Sequence, residues 1–110
     1  MSEAADFTLK CGAGRAALGG IMRLESVEAY DRELEPVRLA LEATTDPFTI
    51  DVTALVFLNS SGIRALGDLV LAARDRGQRL ILVGSAAIPW QKKTFASLSR
   101  IHDGIETRLA

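Results

Sequence analysis

The chain is poor in the residues that build covalent or metallic staples. Among its 110 residues there is one cysteine, Cys11, and one histidine, His102. A single thiol excludes an internal disulfide, and one cysteine with one histidine falls short of the usual zinc ligand set. No excess of positive charge exists: 13 Lys and Arg face 14 Asp and Glu, a net charge of −1. A domain that lives on the phosphate backbone of nucleic acid normally carries a basic excess, so that class is set aside. No apolar run approaches the ~20 residues that span a bilayer. The start, Met1–Asp6, is polar and acidic where a secretory leader is basic and then apolar. A location in the cytoplasm, without membrane or nucleic-acid partner, is therefore expected. Internal repeats, low-complexity tracts and linkers are also lacking. What remains is ordinary for a globular protein, 48% hydrophobic and 25% charged. This length suits one domain, residues 1–110 with a core from about 7 to 109.

Hydrophobic spacing divides the chain into elements. Phe7, Leu9 and Cys11 alternate with polar residues in the period of a half-buried strand. Gly12-Ala13-Gly14 then supplies a turn, and Ala16 to Met22 returns as a second strand with Gly19-Gly20 in its middle. After Ser26, a suitable N-cap, Val27, Tyr30, Leu34, Val37 and Leu41 fall on one helical face. Pro36 interrupts this phase and predicts two stacked helical pieces, ended by Thr44-Thr45-Asp46-Pro47. Phe48–Val52 reads as a strand and Leu55–Leu58 as its short buried continuation. A helix follows over Ile63–Arg76, stopped by Gly77, then an apolar strand over Arg79–Gly84. Pro89 opens a last helix over Trp90–Leu98, whose Trp90 and Phe95 face the sheet, and Ile105–Leu109 alternates like an edge strand. The order predicts an α/β fold, a mixed sheet of four to five strands with helices packed on it. Cys11 is expected to pack as a small apolar group, and His102 to sit in a solvated or capping position.

One stretch carries chemical information. Asp51–Gly62 delivers Asn59-Ser60-Ser61-Gly62 from a strand to the start of a helix. Such a sequence is an ordinary N-cap, and Ser61 fits that role, as a cap or a hydroxyl supporting the turn. A hydroxyl there also lies beside unpaired amides and the positive end of the helix dipole, where a phosphate is accommodated. A serine hydrolase is not indicated. No glycine-x-serine-x-glycine elbow is present, and His102 sits in a polar connection. Gly12-Ala13-Gly14 imitates a dinucleotide fingerprint, but the chain is too short for that two-halved fold, and a hairpin turn is the simpler reading.

In this stretch, Asp51, Phe57-Leu58, Ser60-Ser61 and Gly62-Ile63, followed by Arg76-Gly77 and Leu80–Val83, resemble the STAS domain of bacterial anti-sigma factor antagonists. The resemblance implies a non-catalytic switch without cofactor or metal. A serine kinase of the anti-sigma type would phosphorylate Ser60, and a metal-dependent serine phosphatase would remove the phosphate. Asn59, Ser61 and Gly62 would shape the loop. Asn59 stands where the family pattern has an acidic residue; an amide still caps a helix but adds no charge. On the following helix, Ile63, Leu66, Leu69, Val70 and Ala73 share the expected core face. Ser60, Arg64, Gly67 and Leu71 form an outward stripe that predicts a partner-binding face, with Leu71 an exposed apolar contact or a scattered surface leucine. Two other functions stay open. One is a small-molecule or nucleotide sensor using the loops around Gly12–Arg15 and Ser60. The other is a regulatory subunit of a signalling enzyme such as a cyclase.

Overall fold

The computed structural model describes residues 6–45 and 47–110. The acidic start Met1–Ala5, on which the leader argument mostly rests, and Asp46 of the helix stop lie outside the described residues. The elements are β1 (Phe7–Gly12), β2 (Arg15–Met22), α1 (Val27–Glu33), α2 (Glu35–Ala43), β3 (Phe48–Leu58), α3 (Ser60–Asp75), β4 (Leu80–Gly84), α4 (Pro89–Ser99) and β5 (Ile105–Leu109). They form one five-stranded mixed sheet in the order β1-β2-β3-β4-β5. β1 pairs antiparallel with β2, and every later pair is parallel.

The topology follows from the connections. Each parallel strand is the immediate neighbour of the one before it, and right-handed crossovers then carry all four helices to the same face. That face holds the core: Ala16, Phe48, Ile50, Val52, Leu80 and Leu82 from the strands meet Tyr30, Val37, Leu41, Val70 and Phe95 from the helices. The opposite face carries no helix. Lys10, Ala17, Asp51, Val83 and Arg108 stand there in register, each half-buried or exposed. The break at Pro36 behaves as the sequence predicts. α1 ends at Glu33, Leu34 serves as both C-cap and N-cap, and Pro36 lies in the first turn of α2.

β3 runs unbroken for 11 residues, longer than the two pieces expected, because a bulge lets it continue. Its register with β2 jumps from Ala17↔Asp51 to Gly19↔Ala54. The Asp51 carboxylate accepts from the Thr53 amide at 2.9 Å and its hydroxyl at 2.6 Å, and from Arg15 at 2.5 Å. Gly20 has φ +88°, and a Cβ there would run into the Asp6 carbonyl. Gly20 thus lets β2 close on the start of β1, while Gly19, where a Cβ would lie 3.2 Å from that of Ala54, lets it close on the bulge in β3. From the other side, α4 holds the bulge down. Gln91, fully buried, donates to the Val52 and Leu55 carbonyls at 2.6 and 3.0 Å and accepts from the Ser85 amide at 2.7 Å. Trp90 donates to the same Leu55 carbonyl at 3.0 Å.

Several expectations need correction. α3 begins at Ser60, not Ile63, because Asn59 provides the cap, and it ends at Asp75, with Arg76 as its C-cap. β4 starts at Leu80. Cys11 is exposed, since β1 is an edge strand with little of α2 above it. His102 is buried. Its Nε2 lies 2.7 Å from the Gln78 carbonyl while Nδ1 accepts from the Gly104 amide, so the turn before β5 closes around it. Val56 and Phe57, expected in a buried continuation, are 59% and 43% exposed.

Two measurements check this framework. Replacing Gln91 by Leu strands buried backbone groups around the bulge, and urea unfolding should show a loss of about 3 kcal/mol. The Asp51 carboxyl feels desolvation, which raises its pKa, but the Thr53 and Arg15 hydrogen bonds outweigh it and hold the pKa below the ordinary value. Its charge therefore stabilises the fold above about pH 4 and is lost as pH falls through the lower folded value. Melting temperatures followed into acid should converge for the wild type and Asp51→Asn.

Candidate functional site

β3 runs past the end of β4 while still paired with β2 as far as Met22↔Leu58, and hands the chain directly to α3, so the loop of interest is a cap and not a flexible connection. Asn59 is extended, with φ −77° and ψ 176°, and its Oδ1 accepts from the Gly62 amide at 3.1 Å. That amide can only donate, which fixes the orientation of the side chain. The Asn59 Nδ2 consequently points at the Leu24 carbonyl and donates to it at 2.9 Å. Tyr30, fully buried in α1, donates its hydroxyl to the same Oδ1 at 2.7 Å and accepts from the Leu24 amide at 3.3 Å. Burial pushes the Tyr30 phenol above its ordinary pKa, only partly offset by the Leu24 amide, so it stays protonated and keeps donating.

Asn59 thereby ties three segments together: the connection after β2 through Leu24, α1 through Tyr30, and the first turn of α3 through Gly62. A carboxylate could accept the same two bonds but would set its second oxygen against the Leu24 carbonyl. The amide is specified by its surroundings. Gly62 is fixed as firmly, because a Cβ there would overlap the Leu58 side chain and come within 2.7 Å of the Tyr30 ring.

On this base Ser60 occupies the first helical position and is exposed, while Ser61 is half-buried. No acidic side chain lies in the first turn of α3, so the positive end of its dipole meets no carboxylate there. Val56 and Phe57 stand exposed just before Ser60, and the Arg23 guanidinium lies 5.5 Å from the centroid of the Phe57 ring. Nothing in the sequence pattern reveals these two as surface residues, because an apolar run of strand length reads as buried. The overhang of β3 past β4, whose pairing with it ends at Asp51↔Val83, exposes them, together with a second register shift against β2, from Gly20↔Leu55 to Ile21↔Phe57.

The residues of the expected outward stripe differ in exposure. Arg64 is exposed, but Gly67 and Leu71 are half-buried rather than open. The stripe tilts towards α4: a Cβ on Gly67 would lie 3.9 Å from Leu98, and Arg74 reaches the Ile101 carbonyl at 3.4 Å. The loops suggested for a sensor site are not brought together. Arg15 pairs with Thr49 at the start of β3, and Met22 with Leu58 at its end, so the Gly12–Arg15 turn and Ser60 lie at opposite ends of the sheet. Among the described residues, no group of three or more His, Cys, Asp or Glu is placed to hold a metal, and no helix is long and apolar enough to cross a membrane.

A family model, the STAS domain, matches residues 21–108. The chain belongs to the STAS family. The match begins near the end of β2 and takes in Asn59, Ser60 and all of α3, the elements that build the site. A search of curated proteins finds no match. The STAS domain is in general a regulatory, non-catalytic fold that works on protein partners, and it is the fold of anti-sigma factor antagonists. In this STAS domain the position before Ser60 is a structural bolt, which gives a direct expectation. Asn59→Asp should lower stability by about 1–3 kcal/mol in urea unfolding, through the lost Leu24 bond and the carbonyl it leaves facing a charge.

Proposed function

We propose that this STAS domain is a phosphorylation-controlled partner switch of the anti-sigma factor antagonist kind, with Ser60 as the modified residue. The observation that carries the reading is an exposed serine at the first position of α3, three residues after the exposed Phe57 and four after the exposed Val56, on a loop immobilised by Asn59 and Tyr30. In the unmodified state, Val56, Phe57 and Ser60 form an apolar apex without negative charge, with the Arg23 guanidinium beside Phe57, suited to a protein partner. Arg64 extends that face, and Gly67 with Leu71 forms its margin towards α4.

The partner is a serine kinase of the anti-sigma type, which transfers the γ-phosphoryl group of ATP to the Ser60 oxygen and releases ADP and the hydroxyl proton. The phosphate adds about −1.5 to −2 charges. Within the domain it is welcome, because the free amides of the first turn and the dipole favour it, and Arg64 stands one turn away at i+4. Against a docked apolar surface it is repelled and costs desolvation. A metal-dependent serine phosphatase resets the switch. The fold need not move for this to work, because the change is one of surface charge.

Intact-mass spectrometry with peptide mapping, on protein recovered from its own cells at several growth stages, tests this. A species one phosphate heavier at Ser60, varying with conditions and absent in Ser60→Ala, is expected. Absence of phosphate under all conditions, with the chain bound to a partner throughout, would identify a constitutive binder instead. For the kinase found by that labelling, Phe57→Ala should weaken binding of the unmodified domain about tenfold or more without changing its melting temperature by more than a few degrees.

A further inference from the structure

A second surface lies on the other flank of α3 and does not depend on Ser60. α3 packs against α1, whereas α2 leans on β1 and β2. The two helices that meet at Leu34 therefore part from α3 progressively, and the break that Pro36 helps to impose opens a cleft of about 340 Å³ between α2 and α3. Its floor is apolar, with Leu34 and Leu69 only 6% and 7% exposed, and its α3 wall is low, because the residues there are Ala65 and Ala72. Low walls on an apolar floor leave room for side chains from another helix.

Charge selects the occupant. Asp31, Glu35 and Asp68 line the cleft from all three helices, and one cation, Arg38, stands among them. Arg38 is already committed. It donates to Glu35 at 3.1 and 2.5 Å and to Glu42 at 2.9 Å, and both carboxylates push its pKa further up. The rim thus presents an uncompensated negative field, above all at Asp31 and Asp68. From this we infer that the α2–α3 cleft is a docking site for a partner protein, entered by an amphipathic helix that sets a leucine-type side chain on the floor and Lys or Arg against the rim.

The test uses the full chain, labelled with ¹⁵N, and a synthetic 18-residue helical peptide with leucines on one face and flanking lysines. The proposal expects saturable amide shifts at Asp31, Leu34, Ala65, Asp68 and Ala72. The same peptide with glutamate for lysine should give no such shifts. Asp68→Lys, a change at an exposed position, should weaken the lysine peptide about fivefold or more while leaving the spectrum otherwise folded. No shifts, shifts spread over other faces, or an unchanged affinity in Asp68→Lys would overturn the proposal. It would also be overturned if spermine alone reproduced the shifts, which would mark a small-cation site. Shifts that appear on concentrating the free protein would assign the cleft to a second copy and overturn it as well. Since Ser60 lies outside the cleft, failure here leaves the phosphorylation reading standing, and the reverse also holds.

Discussion

The site depends on one side chain that accepts two hydrogen bonds and donates a third. Asn59 takes protons from Tyr30 and from the Gly62 amide and returns one to the Leu24 carbonyl. Each bond is worth about 1 kcal/mol net, yet losing the group would strand a buried phenol, a helix-start amide and a carbonyl together. Tyr30 sits in the core and Leu24 at the end of the sheet, so the position of Ser60 is set by the whole domain rather than by its own loop. A serine held in this way presents the same face before and after modification. A switch built on it must act through charge at the surface.

The sheet supplies the second constraint. Because all the crossovers wind to one side, the core is one layer of helices on one face, and the surfaces proposed for partners are the overhang of β3 and the flanks of α3. The bulge at Val52–Leu55 makes that overhang possible. It needs Gly19 on β2, the Asp51 turn within β3, and Gln91 with Trp90 from α4. Residues far apart in sequence thus determine how far Phe57 and Ser60 stand out from the sheet. α3 then separates two surfaces of different chemistry, an apolar apex with nearby arginines at its start and an acid-rimmed cleft along its α2 side.

Much of this architecture was legible in the sequence because the signals are local. Pro36 cannot donate to a helix, Gly77 follows the end of α3, and the alternation from Phe7 onward is that of a strand. That Asn59–Gly62 opens a helix was legible too, with Ser60 as an outward hydroxyl, although the capping side chain is Asn59 and not Ser61, which lies inside the first turn. What stayed hidden depends on distant partners. His102 is buried because Gln78 and Gly104 happen to meet its ring, and Cys11 is exposed because β1 is an edge. Leu71 is half-buried although its helical angle alone points outward. Asn59 looks like a lost acid until Tyr30 and Leu24, both distant in sequence, are seen to require an amide.

The central claim is that phosphate on Ser60 changes surface charge without moving the domain. The most direct measurement compares amide spectra of the unmodified chain and a form carrying phosphoserine at position 60. The account predicts shifts confined to Val56–Arg64 and Arg23, with Leu24, Tyr30 and the strands unchanged and hydrogen-exchange protection retained. Shifts spreading through α1 and the sheet, or loss of protection at Tyr30, would contradict it and mean that the phosphate acts by breaking the Asn59 network.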